Sequence, residues 1–105
     1  MILSIIIPCF NEENTILEIL EKVNLERKNF DIEIIVSDDG SEDKTIAYLE
    51  KNNHLYDKLI ANKINKGKGA AIRSAVNSVS GDVVIIQDAD LEYDPKDYKN
   101  LIQPI

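Results

Sequence analysis

The sequence predicts an α/β fold built on an open, mainly parallel sheet with helices on both faces. Two observations carry this. Short apolar runs alternate with stretches of helical periodicity in the order β-α-β-α-β-α-β-α, the order that makes strands parallel and helices crossovers. The runs are also nearly continuous in apolar residues, as strands covered on both faces are.

The first strand is "LSIII", residues 3–7, closed by Pro8, which lacks an N–H and suits a strand end. Residues 11–24 follow with Ile16, Leu17, Leu20 and Val23 at helical spacing and Asn11 or Asn14 as N-cap. "IEIIVS", residues 32–37, is the second strand, and residues 42–52 form the second helix through Ile46, Leu49 and Tyr48. "DKLIAN", residues 57–62, is a weaker third strand. Residues 69–79 form a small-residue helix with Ala71, Ile72, Ala75, Val76 and Val79 on its apolar side, ended by Gly81. "DVVIIQ", residues 82–87, is the fourth strand, and residues 94–103 start a last helix with Asp94 as N-cap and Pro95 in the first helical position.

At 105 residues and 44% hydrophobic content, the chain is expected to form one domain, residues 1–105. Twelve basic against nineteen acidic side chains leave a net charge of −7. That argues against a nucleic-acid partner, which would need clustered Lys and Arg. Cys9 is the one cysteine, so no internal disulfide forms and a reducing, cytoplasmic compartment is expected. No apolar run approaches the roughly 18 residues of a membrane helix. No basic segment precedes the first apolar run, so no signal peptide is read.

In open parallel sheets ligands bind beyond the carboxyl ends of the strands, which selects four loops. The first, "PCFNEEN", places Glu12 and Glu13 near a helix start, where carboxylates interact favourably with the dipole; capping and ligand contact both account for it. The second, "DDGSED", has adjacent Asp38 and Asp39, which point to opposite sides of an extended chain. One is free to bond the loop while the other faces the crevice and accepts from a base N–H or a ribose hydroxyl. Gly40 permits a positive-φ turn and Ser41 can cap the next helix; turn chemistry and binding explain this loop equally. The third, "NKGKGAA", opens a helix with glycines and lysines. Such a start attracts phosphate or carboxylate, but it lacks the Walker A spacing, and no GxGxxG follows the first strand. The fourth, "QDADLEYD", sets Asp88, Asp90 and Glu92 at alternate positions. Extended geometry sends them to one side, where like charges repel unless one protonates or a cation intervenes. Mg²⁺ or Mn²⁺ suits such oxygen donors and uses one or two carboxylates plus substrate phosphates.

Together "SIIIPCFNEENTI", "IIVSDDGSEDKT", "NKGKGAAIRSA" and "GDVVIIQDADLEYDP" resemble the nucleotide-sugar half of family 2 glycosyltransferases with the Rossmann-like GT-A fold. The resemblance is strongest to the dolichol-phosphate and polyprenyl-phosphate sugar synthase branch. It implies transfer of a sugar from a UDP- or GDP-sugar to an acceptor such as a polyprenyl phosphate, at or near the membrane surface, in cell envelope biosynthesis. It implies nucleotide contacts by Pro8, Phe10 and Glu12, and base binding by Asp39 with Asp38. It also implies a DXD-type motif of Asp88, Ala89 and Asp90, and a metal held by Asp88, Asp90 and Glu92. Phe10 stands where relatives usually have Tyr, so ring stacking survives and the hydroxyl bond does not. Cys9 replaces a commoner Thr and reads as packing.

Relatives continue well past the equivalent of Ile105, into the acceptor site and the candidate general base. The chain therefore reads as a truncated donor-binding half, inactive by itself. The alternatives are a stand-alone nucleotide-binding module and, less favoured, a Mg²⁺-dependent phosphotransferase. With the family-like strand order 3-2-1-4, the fourth strand lies at one side of the sheet, where an open edge favours self-association.

Overall fold

The computed structural model describes residues 1–90 and 94–98. Its strands are β1 (Ile2–Cys9), β2 (Asp31–Asp39), β3 (Lys58–Asn62) and β4 (Val83–Ile86), and its helices α1 (Ile16–Leu25), α2 (Thr45–Lys51) and α3 (Lys68–Val76). Single 3₁₀ turns occupy Glu26–Lys28, Asn53–Leu55 and Pro95–Asp97. The strands form one sheet in the order β3-β2-β1-β4, all parallel. This is the α/β architecture and the strand order that the sequence predicts.

The sheet's two faces are filled unequally. Leu3, Ile5, Ile7, Ile34, Val36 and Ile85 point to the face covered by Ile16, Ile19, Leu20 and Val23 of α1 and Leu49 of α2. Ile6 and Ile35 point to the other face, against Ala75 of α3. The small side chains of α3 let its backbone come close, and Ser37 of β2 donates to the carbonyl of Ala71 at 2.7 Å. Val76, expected on the apolar side, is 51% exposed. It lies about 100° further round the helix than Ala75, outside the narrow Ala71–Ala75 stripe.

β4 is the shortest strand and pairs only with β1 among the described residues. Ile85 is buried, whereas Val84 and Ile86 are exposed. The alternation follows the strand period: the inner face meets α1, and α3 sits over β1 and β2 rather than over β4.

Three helix boundaries differ from the predicted ones. α1 begins at Ile16, not near Asn11, because Asn11 takes a left-handed φ of 52° and its side-chain oxygen accepts from Glu42 N–H at 2.8 Å. Asn tolerates that conformation better than most residues. α2 begins at Thr45, and Ser41 does not cap it; Asp43 accepts from the Thr45 N–H at 2.9 Å instead. α3 ends at Val76, before Gly81, through turns in which Ser78 N–H bonds Ala75 and Val79 N–H bonds Val76. Asp94 does accept from Lys96 N–H, with Pro95 behind it; the rest of that predicted helix lies outside the described residues. Among the described residues no helix is long and apolar enough to cross a membrane.

Candidate functional site

The chain runs outward from β1 to β3 on one side, then returns to place β4 on the other side of β1. Loops leaving β1 and β4 therefore diverge, and a crevice opens at their carboxyl ends. A cavity of about 360 Å³ lies there, lined by Pro8 and Cys9 at the end of β1, Phe10 and Glu12 just beyond it, Asp39 at the end of β2, and Asp88, Ala89 and Asp90 after β4. Asn65, Gly67, Lys68 and Ala71 close it from the start of α3.

The seam between the first two loops is a set of reciprocal hydrogen bonds. Ser41 Oγ accepts from Asn11 N–H at 2.9 Å, and Thr45 Oγ1 accepts from Glu12 N–H at 2.9 Å. Asp43 accepts from Glu13 N–H at 3.2 Å and from Thr45. Burial alone would raise the Asp43 carboxyl, but the Thr45 hydroxyl and the Thr45 and Glu13 amides outweigh it and hold it below its ordinary value.

Asp38 and Asp39 do point to opposite sides. Asp38 is 1% exposed and does not line the cavity. Its oxygens accept from Ser41 N–H at 2.9 Å, Ser41 Oγ at 2.5 Å and Cys9 Sγ at 3.4 Å. Burial, then the Asp38 charge, push the Cys9 thiol far above its ordinary value, so Cys9 is a packed, protonated group. Asp39 faces the cavity, but its oxygens already accept from Lys66 N–H at 3.0 Å and Gly67 N–H at 2.7 Å. The anion that the start of α3 attracts is thus internal. Gly67 meets it with a φ of 100°, a conformation glycine adopts without cost.

After β4, Asp88 is half-buried and Asp90 exposed, with Ala89 buried between them. Asp88 forms an ion pair with Lys68. The basic loop "NKGKGAA" is visible in the sequence, but the contribution of Lys68 itself follows only from α3 starting opposite the end of β4. Glu92 lies outside the described residues. Among the described residues no group of three or more His, Cys, Asp and Glu side chains is arranged to hold a metal. The donor set present, two carboxylates at alternate positions beside a cavity, fits a hard divalent ion that completes its shell with phosphate oxygens.

The sequence profile described as "Glycosyl transferase family 2" matches residues 4–105. The chain belongs to that family. Across 105 aligned residues it is 37% identical to the undecaprenyl-phosphate 4-deoxy-4-formamido-L-arabinose transferase of Pseudomonas fluorescens (strain Pf0-1), covering 94% of this chain and 31% of the relative. The chain thus spans about a third of the length of the curated relatives it matches. The fold recurs in solved structures. The mannosyltransferase PcManGT of Pyrobaculum calidifontis, in complex with GDP-Man and Mn²⁺, is 28% identical with a TM-score of 0.71, over 84% of this chain and 27% of that one. Glucosyl-3-phosphoglycerate synthase of Mycobacterium tuberculosis, bound to Mn²⁺, UDP and glucosyl-3-phosphoglycerate, is 25% identical with a TM-score of 0.79, over 97% of this chain and 38% of that one.

Proposed function

We propose that residues 1–105 form the donor-binding part of a metal-dependent glycosyltransferase that moves a sugar from a UDP- or GDP-sugar to a polyprenyl phosphate at the cytoplasmic membrane surface. The observation that carries this is the convergence of Asp39, Lys68, Asp88 and Asp90 on one cavity at the switch point of the sheet. The choice of nucleotide rests on the UDP and GDP-Man in the names of the two solved relatives. The acceptor class rests on the undecaprenyl-phosphate transferase.

In this reading Pro8 and Phe10 form the wall on which the base lies; Phe10, 41% exposed, presents a ring face for stacking. Glu12 and Asp39 accept from the base or ribose, and Asp38 holds the Asp39 loop in shape from beneath. Asp88 and Asp90, with Glu92 beyond the described residues, hold Mg²⁺ or Mn²⁺, and Ala89 leaves room for the diphosphate. The ion, when bound, neutralises charge on the leaving diphosphate as a Lewis acid. Lys68 adds a second positive charge on the same side, opposite the carboxylates. In the reaction an acceptor oxygen forms a bond to the anomeric carbon while the bond from that carbon to the diphosphate oxygen breaks, its electron pair leaving with the nucleoside diphosphate.

Calorimetric titration with UDP and with GDP tests the reading. Affinity for one of them should rise when Mn²⁺ is added and fall in chelator. Equal affinity for both nucleotides with and without metal would overturn it. The β4 edge, with exposed Val84 and Ile86, supports self-association of this chain; light scattering returning a clean monomer of 11.8 kDa would overturn that.

A further inference from the structure

The turn at Asp88–Asp90 is anchored by its main-chain carbonyls. The Thr15 hydroxyl donates to the carbonyl of Ala89 at 2.6 Å. The Gln87 amide donates to the carbonyl of Asp88 at 3.3 Å, and the Tyr98 hydroxyl donates to the Gln87 side-chain oxygen at 2.9 Å. Thr15 is the residue of interest because its position offers it another task. It stands at the N-cap of α1, where a threonine oxygen ordinarily accepts from an N–H two or three residues on, yet its side chain makes no capping bond. The hydroxyl reaches instead to a turn 74 residues away in sequence. Its single proton has two acceptors in range, Ala89 O at 2.6 Å and Glu12 Oε2 at 3.2 Å, and the shorter contact takes it.

We propose that Thr15 is a positioning residue for the metal- and diphosphate-binding turn: its hydroxyl locks the Ala89 peptide so that the carboxylates on either side both border the cavity. This rests on the donor-binding function proposed above. A rotation of that peptide would swing Asp88 and Asp90 relative to each other, and groups that orient metal ligands from outside commonly change metal affinity 10- to 100-fold. Thr15 sits in the turn that also carries Glu12, so this contact joins the loops after β1 and β4.

The test uses Thr15→Val, which keeps the β-branched shape and loses no cap bond, and Thr15→Ser, which restores the donor. Calorimetry with UDP and GDP should show Mn²⁺-dependent affinity lowered about tenfold in Thr15→Val, with affinity in chelator unchanged and Thr15→Ser close to wild type. Amide hydrogen exchange at Ala89 and Asp90, without metal or nucleotide, should be faster in Thr15→Val alone. Wild-type Mn²⁺ dependence together with an unaffected Thr15→Val would overturn this assignment and leave the donor-binding reading standing. A serine variant as weak as valine would overturn it equally. Wild-type protein without any Mn²⁺ dependence would overturn both.

Discussion

Asp38 and Asp39 close β2 as Asp88 and Asp90 follow β4, yet the oxygens of the two pairs meet different partners. Those of the first pair accept from backbone amides and a hydroxyl in fixed loops. Asp88 instead meets the Lys68 ammonium, and Asp90 is exposed at the cavity rim. A carboxylate bonded to backbone amides is part of the scaffold, because no mobile group can replace those donors. A carboxylate opposite a long, flexible lysine can exchange that partner for a metal or let the lysine turn to a phosphate. The same residue type is therefore pure framework at Asp38, fixed by its loop yet facing the cavity at Asp39, and paired with a replaceable partner at Asp88; the deciding factor is what the neighbouring loop presents.

Four measurements test this contrast. The largest effect is expected for Asp38→Ala, which strips a buried carboxylate from the Ser41 amide and hydroxyl. Denaturant unfolding should show a loss of about 3 kcal/mol; a loss near zero would mean Asp38 is no framework residue. Asp39→Ala should cost roughly 1.5–3 kcal/mol of nucleoside affinity in calorimetry under native conditions, more than Asp38→Ala costs there. The opposite order would reverse the roles of the pair. Asp90→Asn should weaken Mn²⁺-dependent nucleotide binding about tenfold while leaving unfolding within about 0.5 kcal/mol of wild type, as for an exposed side chain outside the core. Comparable stability losses at Asp90 and Asp38 would erase the distinction between the two strand ends.

The smallest effect concerns Asp43, which belongs to the framework side. Its folded carboxyl is held below the ordinary value of 3.8. Its stabilising contribution is therefore fully present above pH 3.8 and is lost as pH falls through the lower folded value. Urea unfolding between neutral and strongly acid pH should show a drop at the acid end that is smaller in Asp43→Asn. An identical drop in both proteins would remove Asp43 from the seam.

Much of the fold was legible in the sequence because periodicity is a local property. Four apolar runs of strand length and the helical spacing between them define the elements, and Gly40 and Pro95 mark ends that backbone chemistry enforces. Gly40 illustrates this: its φ is 77°, a turn conformation that glycine adopts without steric cost. Pro8 does not close β1 as expected: the strand runs on to Cys9, with Pro8 paired against Ser37 of β2 beyond the last β4 pairing at Ile6. The loops that matter were legible too, since parallel sheets present their carboxyl ends to ligands. Helix starts were misjudged at Asn11 and Ser41 for one reason. Both residues are good N-caps in isolation, but each bonds the opposite loop, a partner about 30 positions away.

The α/β class, the strand-by-strand order of elements, the crevice loops and the family are all written in the amino-acid sequence. Each rests on patterns within a few residues or on short motifs. Packing of the sheet sets which carboxylate turns inward, brings Lys68 against Asp88, and has Thr15 anchor Ala89 rather than cap its own helix. Those outcomes depend on where loops separated by 20 to 74 residues meet in space. A hydroxyl or an ammonium bonds whichever acceptor the packed sheet brings within reach, and spacing along the chain does not encode that distance.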